Sequence, residues 1–311
     1  MVKKRGNKQG FSLIEMMIAL LIALFMVGGV LTLFGGVSRL YNTTSAAALT
    51  QENGRFALAE LSQTIMRANF FGNLSRPTLQ VSNVAVDGGE VDCGQTWLRR
   101  LSQPVYGYDR PTAGHLNCIP TGADQSDMIV LRMTESNPTP AASRVAGQAY
   151  LYSNLSHGRL FQMGVEADPA AISGGEYWAI SGIVYYVKDN PEGIPALYRF
   201  DAATGTDQDV VQGVESMQIR YGVKSAAGTF VSQYLSAAAL SDWNAVISVR
   251  VDLLVRSKNF DSSYASGSAC KGGPSYTLGT YDYLVPDLPP RCYRRRVFTT
   301  IIQLRNNFIR F

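Results

Sequence analysis

The chain has 311 residues, 46% of them hydrophobic and 17% charged, which fits a globular body plus one membrane-crossing segment. Its formal charge of +4 resides in the first ten residues, where Lys3, Lys4, Arg5 and Lys8 stand with no acid; beyond them 24 cations face 24 acids. A body so near neutrality excludes global charge as an argument for nucleic-acid binding.

Gly10 closes the basic leader, Phe11 opens an apolar run, and the only charge for many residues afterwards is Glu15. From Met16 to Ser38 there is no charge at all, longer than the roughly 20 apolar residues that cross a bilayer as a helix. Four cations before the run keep the N-terminus in the cytoplasm. An ordinary secretory signal has an apolar core of about 7–15 residues followed by a small-residue cleavage site. Here the apolar core is longer. A carboxylate at the depth of Glu15 costs about 2.5–3.5 kcal/mol on insertion scales, so it is expected to have a partner.

Gly10-Phe11-Ser12-Leu13-Ile14-Glu15, between that leader and that run, resembles the class III signal of type IV prepilins. The resemblance implies cleavage after Gly10 by a prepilin peptidase on the cytoplasmic side of the inner membrane, and methylation of the new amine on Phe11. In a packed array of such helices the Phe11 amine of a neighbour would be the partner of Glu15 and set the axial register.

The helix is expected to continue past the membrane. Arg39 to Phe70 contains no proline, and Leu58, Leu61 and Ile65 recur at spacings of three and four. Alanines favour the helix here, and Glu52, Arg55, Glu60 and Arg67 mark an amphipathic second half. The spacing predicts one helix of about 60 residues, about 90 Å long. Gly28-Gly29 and Gly35-Gly36 interrupt it, permitting bending or close helix packing. Gly72 and Pro77 end the pattern.

Strands are predicted at 128–133, 177–188, 196–200, 214–223, 246–256 and 297–304. The clearest is 246–256, where Ile247, Val249, Val251, Leu253 and Val255 alternate with Ser248, Arg250, Asp252 and Arg256. Regions 75–126, 134–147 and 257–290 read as loops or insertions. Strands separated by Gly/Pro/Asp turns, without β-α alternation, imply antiparallel sheets on the upper half of the helix. The fold class is therefore α+β: a long N-terminal α-helix with a transmembrane lower half, packed on a C-terminal antiparallel β-rich globular body. The corresponding segments are a leader at 1–10, a membrane and filament-core helix at 11–38, its amphipathic continuation at 39–71, and a periplasmic body at 72–311.

Four cysteines, Cys93, Cys118, Cys270 and Cys292, allow three disulfide connectivities, and sequence leaves the choice open. Pairing Cys93 with Cys118 and Cys270 with Cys292 is favoured because each bridge closes a Gly/Pro/Ser-rich segment, a constraint worth about 3 kcal/mol per loop. An extracytoplasmic body is the setting in which such bridges persist.

Four further stretches narrow the resemblance. Gln51-Glu52-Asn53-Gly54-Arg55-Phe56-Ala57 is similar to the helix of PilW-type minor pilins. Val211-Gln212-Gly213-Val214-Glu215 with Arg220-Tyr221-Gly222 resembles their central strand. Trp243 followed by Val249 to Arg256 is a third match, and Arg294 to Asn306 resembles their C-terminal strand. The resemblance implies a pilin-like fold and a minor component that helps prime type IV pilus assembly at or near the tip. The partners it implies are other minor pilins, the major pilin and a PilY-family tip protein. The related alternative is a J-type pseudopilin of type II secretion; an alternative of another kind is a tip adhesin or DNA receptor on a pilin scaffold.

Nothing in the sequence points to an enzyme or a cofactor: no Gly-x-Ser-x-Gly elbow, phosphate loop or paired-histidine metal motif occurs. His115 and His157 read as surface histidines. Asp201, Asp207 and Asp209 with Gly205 could crowd oxygens around calcium, but they lack EF-hand spacing and suit a hairpin turn. Arg291, Arg294, Arg295 and Arg296 beside Tyr293 could hold phosphates. Mature neutrality favours a strand entrance partly paired with acids such as Asp282 or Asp287, which makes nucleic acid an unlikely partner.

Overall fold

The computed structural model describes the chain except residues 1–11, 75–78, 81–92, 112–115, 121–122, 124–125, 168, 170–172, 226–229, 262–263, 268, 272–274, 287–291 and 308–311. The chain divides into two units, Met1–Ala48 and Leu49–Phe311. One α-helix, α1 (Leu13–Arg67), supplies all the described secondary structure of the first unit and the opening element of the second. It remains helical through both glycine pairs, so neither acts as a break.

Within the second unit α1 shows why its sequence changes character at about Leu49. Ala57, Leu61, Ile65 and Ala68 are fully buried on one face, whereas Glu52, Arg55 and Arg67 face out. The small residues on that face let the helix lie close to the sheet. A Cβ on Gly54 would run into the Phe298 ring. The helix ends where Asn69 takes a left-handed φ of 66°, a conformation that asparagine tolerates. There the Asn69 N–H donates to the Arg132 carbonyl (3.2 Å), and the Asn306 amide donates to the Ala68 carbonyl (3.0 Å).

The body contains two main sheets. The first comprises β1 (Leu79–Gln80), β2 (Val105–Tyr108), β3 (Met128–Thr134), β4 (Ala149–Ser153), β5 (Gly158–Gln162), β6 (Glu176–Asp189), β7 (Pro195–Asp201) and β8 (Thr206–Gln212). A short helix, α2 (Gln95–Leu98), lies between β1 and β2 in sequence. The long β6 organises the sheet, pairing with β4 through its first residues and with β3 and β7 further on. Its residues are buried on both faces. Ile183, Tyr185 and Val187 join the core that contains α1, and Ile180, Val184 and Tyr186 join a second core with Trp97, Leu98 and Leu101. That is why its sequence is an almost unbroken apolar run and not an alternation.

The second sheet has the order β10-β9-β11-β16, from β9 (Val214–Lys224), β10 (Val231–Leu235), β11 (Val246–Arg256) and β16 (Arg295–Gln303). All three pairings are antiparallel. Val249, Val251, Leu253 and Val255 of β11 pack in the same core as α1, as their alternation requires. Gly213 links the two sheets at φ 88°, its N–H donating to the Pro195 carbonyl (2.7 Å) and its carbonyl accepting from Arg256 (2.8 Å). Between β11 and β16 the region expected to be loop forms two hairpins, β12 (Ala265–Ser266) with β13 (Ala269–Cys270), and β14 (Ser275–Leu278) with β15 (Tyr281–Leu284). Likewise 75–126 contains α2 and β2. These elements are too short, or too interrupted by Gly and Pro, for periodicity to reveal them.

Candidate functional site

The N-terminal half of α1 is apolar on all sides. Leu13, Ile14, Met16, Leu20, Leu24, Phe25 and Phe34 are each more than half exposed, and mean hydropathy reaches 2.7 over the most apolar window. A surface with no polar stripe has no soluble core to face; lipid or other apolar helices suit it. A Cβ at Gly28, Gly29, Gly35 or Gly36 would meet nothing within 4 Å. Among the described residues no packing requires these glycines. Their small size lets a neighbouring helix approach closely.

Glu15 lies in the first turn of this helix. Its Oε2 accepts a hydrogen bond from the Ser12 N–H at 3.1 Å, and the Ser12 carbonyl accepts from the Met16 N–H at 3.2 Å. Ser-x-x-Glu at a helix start is the spacing of a capping box, and the reach-back from Glu to the cap residue is its acidic half. The carboxylate therefore has a local role that sequence reading assigned wholly to a neighbour, although the spacing was there to be seen. Gly10 and Phe11 lie outside the described residues.

In the body, Cys93 is bonded to Cys118 and Cys270 to Cys292, with Cα separations of 6.0 and 5.5 Å. The first bridge lies in the Trp97 core. The second ties the hairpin insertion to the entrance of β16.

Two of the arginines at the start of β16 are taken up by acids. Arg294 pairs with Asp261 at 2.9 Å. Arg295 makes a two-point pair with Glu215, Nη2 to Oε1 at 2.8 Å, with side chains only 1% and 7% exposed. Asp282 accepts from Thr277 and not from an arginine, and Arg291 and Asp287 lie outside the described residues. Of the aspartates weighed for calcium, Asp201 and Asp207 are engaged, and Asp209 is exposed. Asp207 pairs with Lys188 and accepts from the Tyr186 hydroxyl, both at 2.6 Å, and Asp201 closes the β7–β8 turn through the Ala203 N–H (3.0 Å). His157 is exposed in a turn, and His115 lies outside the described residues. Among the described residues no group of three or more His, Cys, Asp or Glu could hold a metal.

Sequence reading missed a cleft of about 220 Å³ lined by Asp109, Arg110, Asp127, Ser236 and Tyr281 among others. Both aspartates serve the backbone. Asp109 accepts from Ala237 and Ala238 (2.9 and 2.8 Å), and Asp127 accepts from Ile219 and Arg110 (2.7 and 3.2 Å). Burial pushes the Asp127 carboxyl up to about 7, despite the Ile219 N–H that favours its charged form, and the nearby Asp109 charge adds to the rise. These bonds fix the segment around Asp109 and Arg110 to the second sheet; the residues are scattered in sequence and share no motif.

Comparison with known proteins agrees with both ends of this arrangement. Residues 184–306, from the second half of β6 through β16, match the family model described as Type IV Pilus-assembly protein W. Residues 5–31 match the Prokaryotic N-terminal methylation motif. No curated protein sequence matches the chain. Among solved structures, a type IV-like pilin from Thermus thermophilus is similar over 85% of this chain and 97% of its own, with 14% identity and a TM-score of 0.34. The chain thus carries a PilW domain over residues 184–306, across its second sheet, and an N-terminal methylation motif over residues 5–31.

Proposed function

We propose that this pilin is a membrane-anchored structural subunit that helps prime type IV pilus assembly, in a complex with other minor pilins at or near the pilus tip. The observation that carries the reading is the wholly apolar, uncovered first half of α1 with a single carboxylate at Glu15, joined to a PilW body. In this reading prepilin peptidase cuts after Gly10 and the Phe11 amine is methylated. Residues 11–38 lie in the inner membrane with the body in the periplasm. Extraction into a filament exchanges lipid contacts for helix contacts, with Glu15 against a neighbour's Phe11 amine setting register. Partner choice then belongs to the body at 72–311, and a PilY-family protein is a candidate tip associate.

Deleting the gene in its own host tests this. The proposal expects few or no surface pili, restored by the wild-type chain, and recovery of other minor pilins with the tagged full chain from detergent-solubilised membranes. Normal piliation together with loss of protein secretion would overturn it in favour of a pseudopilin.

A further inference from the structure

The second sheet has one edge without the usual protection. β16 pairs with β11 over nine consecutive residues, Arg295–Gln303, with no register shift. The Leu304 N–H donates to the Ile247 carbonyl and the Ser257 N–H to the Arg294 carbonyl, so even-numbered residues of this strand turn their backbone groups toward β11. Alternation then turns the N–H and C=O of Val297, Thr299, Ile301 and Gln303 outward. Among the described residues none of these groups has a hydrogen-bond partner. Thr299, Ile301 and Gln303 are exposed.

Proteins blunt such edges with bulges, prolines, charges or short strands. The opposite edge, β10, is five residues long with a register shift between Val231 and Gln233. In the first sheet, β8 has a shift in its pairing and carries Asp207 and Asp209. β16 has no proline and no bulge, and its only charges are Arg295 and Arg296. Arg295 is consumed by Glu215, which leaves exposed Arg296 at one end and exposed Arg305 just past the other. A second copy of β16 would bring cations against cations with no acid of its own to pair them.

We infer that the outer edge of β16 is a docking site for an extended segment of a different protein, which adds as a fifth strand and carries acidic residues opposite Arg296 and Arg305. Outward backbone groups supply the affinity in this mode, and the flanking charges select the partner. Edge pairing follows from the sheet geometry and is independent of the priming role.

The test uses the full chain in detergent micelles and a fluorescent probe peptide of about eight residues, alternating threonine and valine with glutamate at each end, a length that matches an ordinary strand. Anisotropy should show saturable binding, weakened at least about tenfold when the terminal glutamates become lysines or when Arg296→Glu is introduced. Ile301→Pro removes an outward N–H without touching the ladder to β11 and should abolish binding with the melting temperature retained. Should that variant unfold, methylating alternate backbone nitrogens of the peptide removes the same hydrogen bonds from the other side and must also abolish binding. No binding, binding indifferent to both proline and N-methylation, or equal binding of the lysine-ended peptide would overturn the inference. So would self-association of the chain through this edge.

Discussion

The Ser12 N–H and the Glu15 carboxylate are joined across the first turn of α1 at 3.1 Å, so the acid at the head of the apolar helix has a partner within its own chain. A local cap and an intermolecular register mark are separable roles for one side chain. Glutamine keeps the acceptor that caps the helix but carries no charge. Glu15→Gln is therefore expected to insert, to be processed, and to cost less than about 1 kcal/mol of helix stability, yet to fail in restoring pili to a strain lacking this chain. Counting surface pili by electron microscopy checks this. Wild-type numbers would reduce Glu15 to a helix cap.

The pair between Glu215 and Arg295 is buried at the seam between the second sheet and the hairpin insertion. Removing one member strands the other charge, which costs about 3–5 kcal/mol, whereas replacing both with apolar residues is often neutral. Arg295→Met should thus lower the melting temperature sharply, and Glu215→Leu with Arg295→Met should recover most of the loss. Equal destabilisation by the single and double variants would contradict a desolvated pair.

Asp127 gives stability an inverted pH dependence. Its folded carboxyl holds a proton up to about pH 7 because burial disfavours the anion, whereas an unfolded aspartate releases its proton near pH 4. Between those values the folded state binds more protons. The contribution of this group is therefore largest below about pH 4 and is lost as pH rises to about 7, by up to about 4 kcal/mol. Asp127→Asn removes the titration. The melting temperature of the wild type relative to this variant should fall by several degrees from pH 5 to pH 8; parallel profiles would refute the burial effect.

Much of the fold is legible in sequence because burial on one face imposes a period. The alternation of Val249, Val251, Leu253 and Val255 places β11 at 246–256, and the long α1 follows from an unbroken helical pattern without proline. β8 was not predicted because Thr206–Gln212 is mostly exposed. Pairing with β7 holds it in place, and pairing leaves no hydrophobic signature. β4 and β5 are five residues each, and no residue of the equally short β10 is buried. The arginine cluster reads correctly as partly paired with acids, but its partners Asp261 and Glu215 come from distant segments, and composition does not report which acids lie near. The capping relation of Ser12 and Glu15 was written in local spacing, and only the stronger intermolecular reading of Glu15 obscured it.

The central claim is that Phe11 becomes the first residue of the working protein and Glu15 its fifth. Mass analysis of the N-terminal peptide from chain recovered in native membranes tests this most directly. The account predicts a peptide beginning with methylated phenylalanine at position 11. A peptide that begins at Met1, or beyond Val37, would contradict it.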